Sequence, residues 1–176
     1  MQVEAWLDRA ARLRPDHPAV NDLTYAQLDA AAHADLLPGA RVGIALPPGE
    51  EFAVALHAIW RAGAIAVPVD LRLTAAERPP VDGLIEGPLA GRAAASRTHF
   101  DLDDPAVVLY TSGTTAAPRP VSLTFGNLLW SAIGSSVAIG HDAGERWLCT
   151  LPLSHVGGLS IVVRSAIAAT TARCAR

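Results

Sequence analysis

Residues 41–69 read RVGIALPPGEEFAVALHAIWRAGAIAVPV, and this stretch predicts a βαβ unit. The apolar run 41–46 is typical of a short buried strand, and the residues Pro47-Pro48-Gly49 turn the chain. A helix with one apolar face follows, and Gly63 stands where a helix C-terminal glycine would. A second strand is expected over 64–69. Because a helix connects the two strands, we expect them to pair in parallel with a right-handed crossover.

The rest of the chain alternates between helices and strands in the same way. Helices are expected over 3–13, from Thr24, over 74–78, from Thr124 to about 139, and over 159–169. Buried strands are expected over 106–110, 121–123 and 147–151. Residues 79–105 are weakly patterned and are interpreted as a connection. The succession predicts an α/β fold with mostly parallel sheets flanked by helices.

The composition excludes several classes of protein. Of the 176 residues, 51% are hydrophobic and 18% are charged, which excludes a disordered polyelectrolyte. The net charge of −3 gives no electrostatic case for a nucleic-acid or membrane partner. All 14 residues in the Lys and Arg total are Arg, because the chain has no Lys. Chemistry that requires a lysine amine, such as a Walker phosphate loop or a Schiff base, would need that lysine from elsewhere.

We expect no targeting segment in this sequence. The N-terminus carries acids and Trp6 instead of a basic segment followed by an apolar one, so no signal peptide is predicted. No uncharged apolar stretch reaches the roughly 20 residues of a membrane-spanning helix. Cys149 and Cys174 are too few for a disulfide scaffold, Cys149 is interpreted as a buried small hydrophobe, and no histidine pair has zinc spacing. We therefore expect a cytoplasmic globular protein and identify no metal-binding residues.

Residues 110–120, YTSGTTAAPRP, concentrate hydrogen-bond donors directly after a predicted buried strand. Hydroxyl groups and backbone N–H groups can surround the oxygens of a polyphosphate, and Gly113 lets the backbone approach closely. Arg119 can place a bidentate guanidinium on the same anion. A solvated Ser/Thr/Gly turn has a similar composition, so on spacing alone both interpretations stay open. A Rossmann dinucleotide site is a weaker alternative, because no Gly-x-Gly-x-x-Gly follows either early strand.

This segment resembles the phosphate-binding signature of the adenylate-forming superfamily, which contains acyl-CoA synthetases, firefly luciferases and adenylation domains of peptide synthetases. The usual form is aromatic-Thr-Ser-Gly-Thr-Thr-Gly-x-Pro-Lys-Gly. Residues 110–115 match it in register, as does Pro118. Residues 151–155, LPLSH, follow at the expected distance and resemble the segment whose His lies near the acyl pocket.

Further segments narrow the resemblance. Residues 124–128 (TFGNL) and 153–161 (LSHVGGLSI) are similar to o-succinylbenzoate–CoA ligases of menaquinone synthesis. Residues 23–28 (LTYAQL) and 62–70 (AGAIAVPVD) agree with the superfamily as a whole. The resemblance therefore covers nearly all of the chain.

The resemblance implies a two-step reaction. A carboxylate attacks the α-phosphate of ATP, which gives an acyl-adenylate and pyrophosphate, and the thiol of CoA then displaces AMP. The ATP phosphates would be held by Thr111, Ser112, Gly113, Thr114, Thr115 and Arg119. His155 would contact or gate the acyl substrate; the alternative is a histidine used only in a strand-end hydrogen bond. Mg²⁺ is the cofactor that the family implies, and CoA is the co-substrate.

Three positions depart from the family form of the loop. Ala116 and Pro120 stand where the family has Gly, and Arg119 replaces the Lys. If position 116 requires a positive φ, its methyl group costs about 1–2 kcal/mol. Pro120 lacks a backbone donor, and a planar guanidinium does not replace a compact ammonium directly. We therefore expect ATP binding that is weak but real.

The resemblance also implies that residues 1–176 are a partial N-terminal AMP-binding domain. The family's metal-binding Glu, its ribose-binding Asp and its C-terminal domain with the adenylation Lys are not found here. The end, residues 172–176 (ARCAR), differs from the buried apolar strand of relatives, so we interpret the chain as truncated or frame-shifted. An unpaired edge at 147–151 and exposed apolar surface on the last helix are expected.

Three functional alternatives follow from this interpretation. The first is an acid–CoA ligase for o-succinylbenzoate, incomplete for catalysis by itself. The second is a ligase for another carboxylic acid. The third is a catalytically incompetent nucleotide-binding remnant, or a half that needs a complementing C-terminal chain. An incomplete fold is also expected to be marginally stable or to self-associate.

Overall fold

The computed structural model describes residues 1–89, 96–111 and 119–175, and these form an α/β fold. The helices are α1 (Trp6–Leu13), α2 (Tyr25–Ala31), α3 (Glu50–Arg61), α4 (Phe125–Ile139) and α5 (Val156–Ala168). The strands of the first half are β1 (Gln2–Glu4), β2 (Pro18–Val20), β3 (Leu23–Thr24), β4 (Arg41–Ile44), β5 (Ile65–Pro68) and β6 (Gly83–Ile85). Those of the second half are β7 (His99–Asp101), β8 (Pro105–Thr111), β9 (Arg119–Thr124), β10 (Arg146–Cys149) and β11 (Thr171–Cys174).

The strands of the described residues form three sheets. The largest has the order β6-β4-β5-β8-β9, in which every pair is parallel except the antiparallel pair β8–β9. A second sheet has the order β10-β11-β2-β3, with only β2–β3 antiparallel. The third is the antiparallel pair β1–β7. The expected class of fold, with parallel sheet flanked by helices, is confirmed.

The βαβ unit expected over 41–69 is present as β4, α3 and β5. The two strands pair in parallel from Arg41 opposite Ile65 to Ile44 opposite Pro68. The connecting helix is buried on nearly all sides, which agrees with its high content of apolar residues. Gly63 follows its end with a φ of 76°, a conformation that costs glycine little and other residues more.

An aromatic cluster joins the first half of the chain to the second. Trp6 of α1 meets Trp60 of α3 edge to face, with ring centroids 5.6 Å apart. Phe100 of β7 and Phe125 of α4 stack on each other at 4.2 Å and contact both tryptophans. The indole Nε1 of Trp60 donates a hydrogen bond of 2.9 Å to the carbonyl of Ala106 at the start of β8. The cluster therefore fixes β8 against the βαβ unit.

Two of the expected helix starts are confirmed by complete capping boxes. Thr24 Oγ1 accepts from the backbone N–H of Gln27, whose side chain accepts from the Thr24 N–H. Thr124 and Asn127 form the same reciprocal pair at the start of α4. Each pair satisfies two N–H groups that the first turn leaves without a helical partner.

Three sequence-based expectations about secondary structure are wrong. Residues 2–4 are strand β1 and not helix, because they pair with β7. Residues 79–105 contain β6 and β7, whose three-residue strands are too short to show a period. Residues 74–77 form turns instead of a helix, although Thr74 and Glu77 do interact. The strands were missed because their pairing partners lie far away in the sequence. The helix at 74–78 does not form because Pro79 and Pro80 follow it directly.

The C-terminal end is also different from what its sequence suggests. β11 is buried between β10 and β2, where Ala172 and Cys174 point to the core. Arg173 lies between them and pairs with Asp22 at 3.0 Å. The alternation of small and polar residues is thus compatible with an interior strand. Residues 171–174 thus form a paired strand of the sheet.

Among the helices, α4 and not the last helix carries most of the exposed large apolar side chains. In α5, Leu159, Val162 and Val163 are buried, and the exposed large hydrophobic residue is Val156. In α4, the exposed large hydrophobic residues are Trp130, Ile133, Val137 and Ile139.

The expected open edge at β10 is confirmed, since within the described residues β10 pairs only with β11. No helix in the described parts of the chain is long and apolar enough to cross a membrane.

Candidate functional site

A cavity of about 250 Å³ lies at the carboxyl ends of β5 and β8. In α/β proteins, ligands bind in the crevice outside the carboxyl ends of parallel strands. The residues that line this cavity are Pro68, Asp70, Leu73, Glu77, Arg78, Pro79, Pro80, Tyr110, Thr111, Ser154 and His155. They come from three segments: the turn after β5, the end of β8 and the segment that precedes α5.

Thr111 and His155, two of the residues predicted from separate sequence segments, are brought together in this cavity. Thr111 is the last residue of β8 and is exposed. His155 is the N-cap residue of α5 and is also exposed. The fold therefore places the end of the hydroxyl-rich segment beside the histidine that follows β10.

Arg119 lies opposite Thr111, as the first residue of β9. Thr111 Oγ1 donates a hydrogen bond of 3.4 Å to the carbonyl of Arg119. The Arg119 side chain is exposed and is not among the described residues that line the cavity. Ser112, Gly113, Thr114 and Thr115 lie outside the described residues. Their proposed contact with phosphate stays a prediction.

The segment that carries His155 is held by a close turn. The His155 N–H donates to the carbonyl of Pro152 at 3.1 Å, and its own carbonyl accepts from the N–H of Leu159 at 3.0 Å. Gly158 packs directly against the Leu151 and Pro152 carbonyls, because a Cβ there would lie 2.5 and 2.4 Å from them. His155 is thus fixed through its backbone, and no hydrogen bond joins its ring to any described residue.

Asp70 and Arg72 form an ion pair at the side of the cavity. The Asp70 carboxylate accepts from the Arg72 backbone N–H at 3.0 Å and from its guanidinium at 2.7 Å. These hydrogen bonds, with a further attraction to His155, lower the pKa of Asp70 to about 2. The carboxylate is therefore negative at neutral pH and faces the same cavity as the imidazole.

Glu77 and Arg78 were not predicted to belong to the site. Glu77 accepts from the backbone and the hydroxyl of Thr74 at 2.9 and 2.7 Å, which lowers the pKa of its carboxyl. Arg78 pairs with Glu86 at 2.7 Å. Its Nε is buried and has no hydrogen-bond partner among the described residues. The Thr74-to-Glu77 spacing was the available signal, but it was interpreted as a helix cap.

Known proteins are similar to this chain over most of its length. Residues 7–79 and 82–175 match the family described as AMP-binding enzyme. A 2-succinylbenzoate–CoA ligase of Bacillus cereus (strain AH820) is 30% identical over 195 residues, which cover 91% of this chain and 40% of that protein. The corresponding ligase of Bacillus mycoides (strain KBAB4) is 30% identical over 197 residues, with the same coverage.

Solved structures show the same similarity. The o-succinylbenzoate CoA synthetase of Bacillus subtilis, in complex with its acyl-adenylate intermediate, has a TM-score of 0.88 and 26% identity over 99% of this chain and 56% of that chain. The structure of that enzyme with ATP and magnesium ion has a TM-score of 0.85 and 26% identity over 98% of this chain and 57% of the other. This chain spans about two fifths of the length of the curated relatives. Since the family match extends over most of its residues, the chain belongs to the AMP-binding enzyme family.

Proposed function

We propose that this chain is the nucleotide- and acid-binding part of an ATP-dependent acid–CoA ligase, with o-succinylbenzoate as the acid. The observation that carries the proposal is the cavity that joins Thr111 to His155. Thr111 belongs to the segment that resembles the family's phosphate-binding signature, and His155 belongs to the segment that resembles its acyl-pocket segment. The names of the relatives, which are 2-succinylbenzoate–CoA ligases, support this choice of acid.

The residues of this chain would act by positioning and by charge. The reaction joins a carboxylate oxygen to the α-phosphorus of ATP and releases pyrophosphate, and CoA then displaces AMP. Thr111, with residues 112–115, would donate hydrogen bonds to the β- and γ-phosphates so that pyrophosphate leaves in line. Arg119 and Arg78 can supply positive charge, and His155 would contact or gate the acid. Such donors accelerate the step by holding developing charge in place.

The proposal also includes Mg²⁺ as the cofactor and CoA as the co-substrate. Among residues 1–89, 96–111 and 119–175, no group of three or more His, Cys, Asp and Glu side chains could hold a metal ion. The Mg²⁺ that the family implies would neutralise phosphate charge, and we assign it no ligand in this chain. The Bacillus subtilis enzyme has been solved with ATP and magnesium ion.

We further propose that residues 1–176 serve as a partial N-terminal AMP-binding domain that is completed by another polypeptide segment. The open edge of β10 and the exposed apolar side chains of α4 support this. In an isolated chain, both features leave unpaired backbone groups or apolar side chains in contact with water. Such surfaces are typically covered by another element.

Nucleotide binding is the first experiment. Calorimetric titration of the folded chain with Mg-ATP is expected to show a weak interaction in the millimolar range. The variant Thr111→Val keeps the shape of the side chain and removes its hydroxyl, and it should weaken binding by about tenfold. Ser122→Ala on the exposed face of β9 is the matched control. A folded wild-type chain that gives no heat at millimolar Mg-ATP would contradict nucleotide binding.

Pyrophosphate exchange separates the functional alternatives. The exchange of labelled pyrophosphate into ATP is measured with o-succinylbenzoate and with other carboxylic acids, with and without a complementing chain from a relative. Exchange only with the complement supports an incomplete ligase. Exchange that is faster with another acid identifies that acid as the substrate. Nucleotide binding without any exchange under all conditions supports the remnant.

A further inference from the structure

The two cysteines of the chain, Cys149 and Cys174, are directly opposite each other on neighbouring strands. They are paired residues in the parallel register of β10 and β11. Neighbouring strands lie about 4.8 Å apart, and the Cα atoms of a disulfide lie about 4.4–6.8 Å apart. Both residues are free thiols in this structure. The backbone therefore already has a spacing that permits a bond between their sulfur atoms.

The two thiols differ in acidity because they interact. A hydrogen bond from the Cys174 thiol lowers the pKa of Cys149 to about 7, against the opposing effect of burial, and a backbone hydrogen bond at Leu151 lowers it further. The same interaction, with burial and the charge of Glu50, raises the pKa of Cys174. Cys149 is thus the more acidic thiol of the pair, and its thiolate is the nucleophilic form.

A surface cavity reaches one of the two cysteines, Cys149. A cavity of about 250 Å³ lies beside the end of β10 and is lined by Cys149, Thr150 and Ala175 among others. The cysteines themselves are 2% and 8% exposed, but Thr150 and Ala175, which follow them in the chain, are exposed. The pair is therefore sheltered but lies close to solvent.

We propose that Cys149 and Cys174 form a reversible thiol–disulfide site whose oxidant is a small-molecule disulfide. The Cys149 thiolate attacks one sulfur of the oxidant, forms a mixed disulfide and releases one thiolate. Cys174 loses its proton and attacks the Cys149 sulfur, which releases the second thiolate and forms the Cys149–Cys174 bond. Two protein thiols are oxidised, and one disulfide is reduced to two thiols.

The site is connected to the segment that carries His155. Cys149 Sγ lies 3.5 Å from the carbonyl oxygens of Leu151 and Gly158, which stand on either side of His155 in the chain. Formation of the disulfide removes the S–H group that can donate to these carbonyls. Oxidation is therefore expected to loosen the turn from Leu151 to Gly158, in addition to linking β10 to β11.

The test uses the full chain and bis(2-hydroxyethyl) disulfide as the probe. The reduced protein is incubated with the probe at pH 7, quenched with acid, alkylated and examined by intact-mass spectrometry. We expect a monomer that has lost two hydrogen atoms, carries no alkyl group and returns to the dithiol form with dithiothreitol. A protein with both thiols still alkylated, a mercaptoethanol adduct that persists, or disulfide-linked dimers as the main product would each overturn the proposal.

Two single variants test the order of the steps. Cys174→Ser should stop at the mercaptoethanol adduct on Cys149, because no second thiol is present to resolve it. Cys149→Ser should react at least about tenfold more slowly, since Cys174 does not line the cavity and since burial and the charge of Glu50 raise the pKa of its thiol. Equal reactivity of the two variants would refute the assigned order. The wild-type mass shift decides the existence of the site even if either variant folds poorly.

Discussion

At the scale of single residues, Arg78 adds a positive charge to the cavity beside Thr111 and His155. One of its Nη atoms pairs with Glu86, whereas its buried Nε has no partner among the described residues. A buried N–H group without a partner is unfavourable, and an anionic ligand can supply the missing acceptor. No motif in the sequence indicated this residue.

We expect Arg78→Gln to weaken Mg-ATP binding by about tenfold, the usual cost of losing one charge-assisted hydrogen bond. Titration calorimetry at fixed salt concentration measures the change. Glu86→Gln is the matched control, because it removes the ion-pair partner and leaves the guanidinium in place. If both variants bind Mg-ATP like the wild type, Arg78 has no part in nucleotide binding.

His57 gives a prediction about pH. Burial in α3, with the nearby charge of Arg61, lowers the pKa of His57 to about 3. In the unfolded chain the imidazole titrates near 6.5, so between about pH 6.5 and 3 the unfolded state binds more protons. The free energy of unfolding should therefore fall as the pH falls through this window, by at most about 1.4 kcal/mol per pH unit from this group.

The variant His57→Leu is expected to reduce this slope. Urea unfolding at several pH values between 6.5 and 4 measures the slope. As the pH falls, the unfolding free energy of the variant should rise relative to that of the wild type. His99→Gln is the control, because it removes a histidine at an exposed position of β7. A constant difference between His57→Leu and the wild type at all pH values would disprove the assignment.

At the scale of elements, the turn before α5 depends on a glycine. A Cβ at Gly158 would lie within 2.5 Å of two backbone carbonyl oxygens, whereas one at Gly157 would meet only the end of the Leu151 side chain, at 2.9 Å. A backbone contact cannot be relieved by a rotamer change. The turn that presents His155 must therefore move if position 158 carries a side chain.

We expect Gly158→Ala to destabilise the chain by about 1–3 kcal/mol, as over-packing usually does, and Gly157→Ala to cost clearly less. Urea unfolding of both variants measures the difference. Both positions lie in the first turn of α5, so helix propensity affects them alike. Equal stability of the two variants would show that the close approach at Gly158 is not a constraint.

The elements that could be predicted from the sequence are those whose signals are local. The apolar pattern of 41–69 and the capping residues Thr24 and Thr124 are local, and all three predictions are confirmed. Strands β1, β6 and β7 depend on partners far away in the chain, and their three residues carry no period of their own. Local patterns cannot specify such pairings.

The candidate site was predictable to a similar extent. Thr111 and His155 were found because each belongs to a recognisable segment, and the cavity that joins them results from the order of strands in the sheet. Asp70 and Arg78 belong to the turn region after β5, where proline and charged residues have no regular spacing. Their position at the site follows only from how that region folds back beside β8.

At the scale of the whole molecule, exposed apolar side chains lie on α4 and on the edge strand β10. Trp130, Ile133 and Val137 of α4 are 60%, 40% and 81% exposed, and their spacing places them on one face of the helix. Leu148 on the edge strand β10 is 63% exposed. Apolar patches and open strand edges of this kind promote association.

The isolated chain is therefore expected to self-associate as its concentration rises, and the double variant Trp130→Glu/Val137→Glu should shift it toward the monomer. Sedimentation velocity at increasing protein concentration measures this directly. Leu37→Glu changes an equally exposed leucine outside α4 and serves as the control. The charges act at the helix face because a buried contact there would have to desolvate two carboxylates. A wild-type chain that stays monomeric with a sharp thermal transition would contradict both the association and the need for a covering segment.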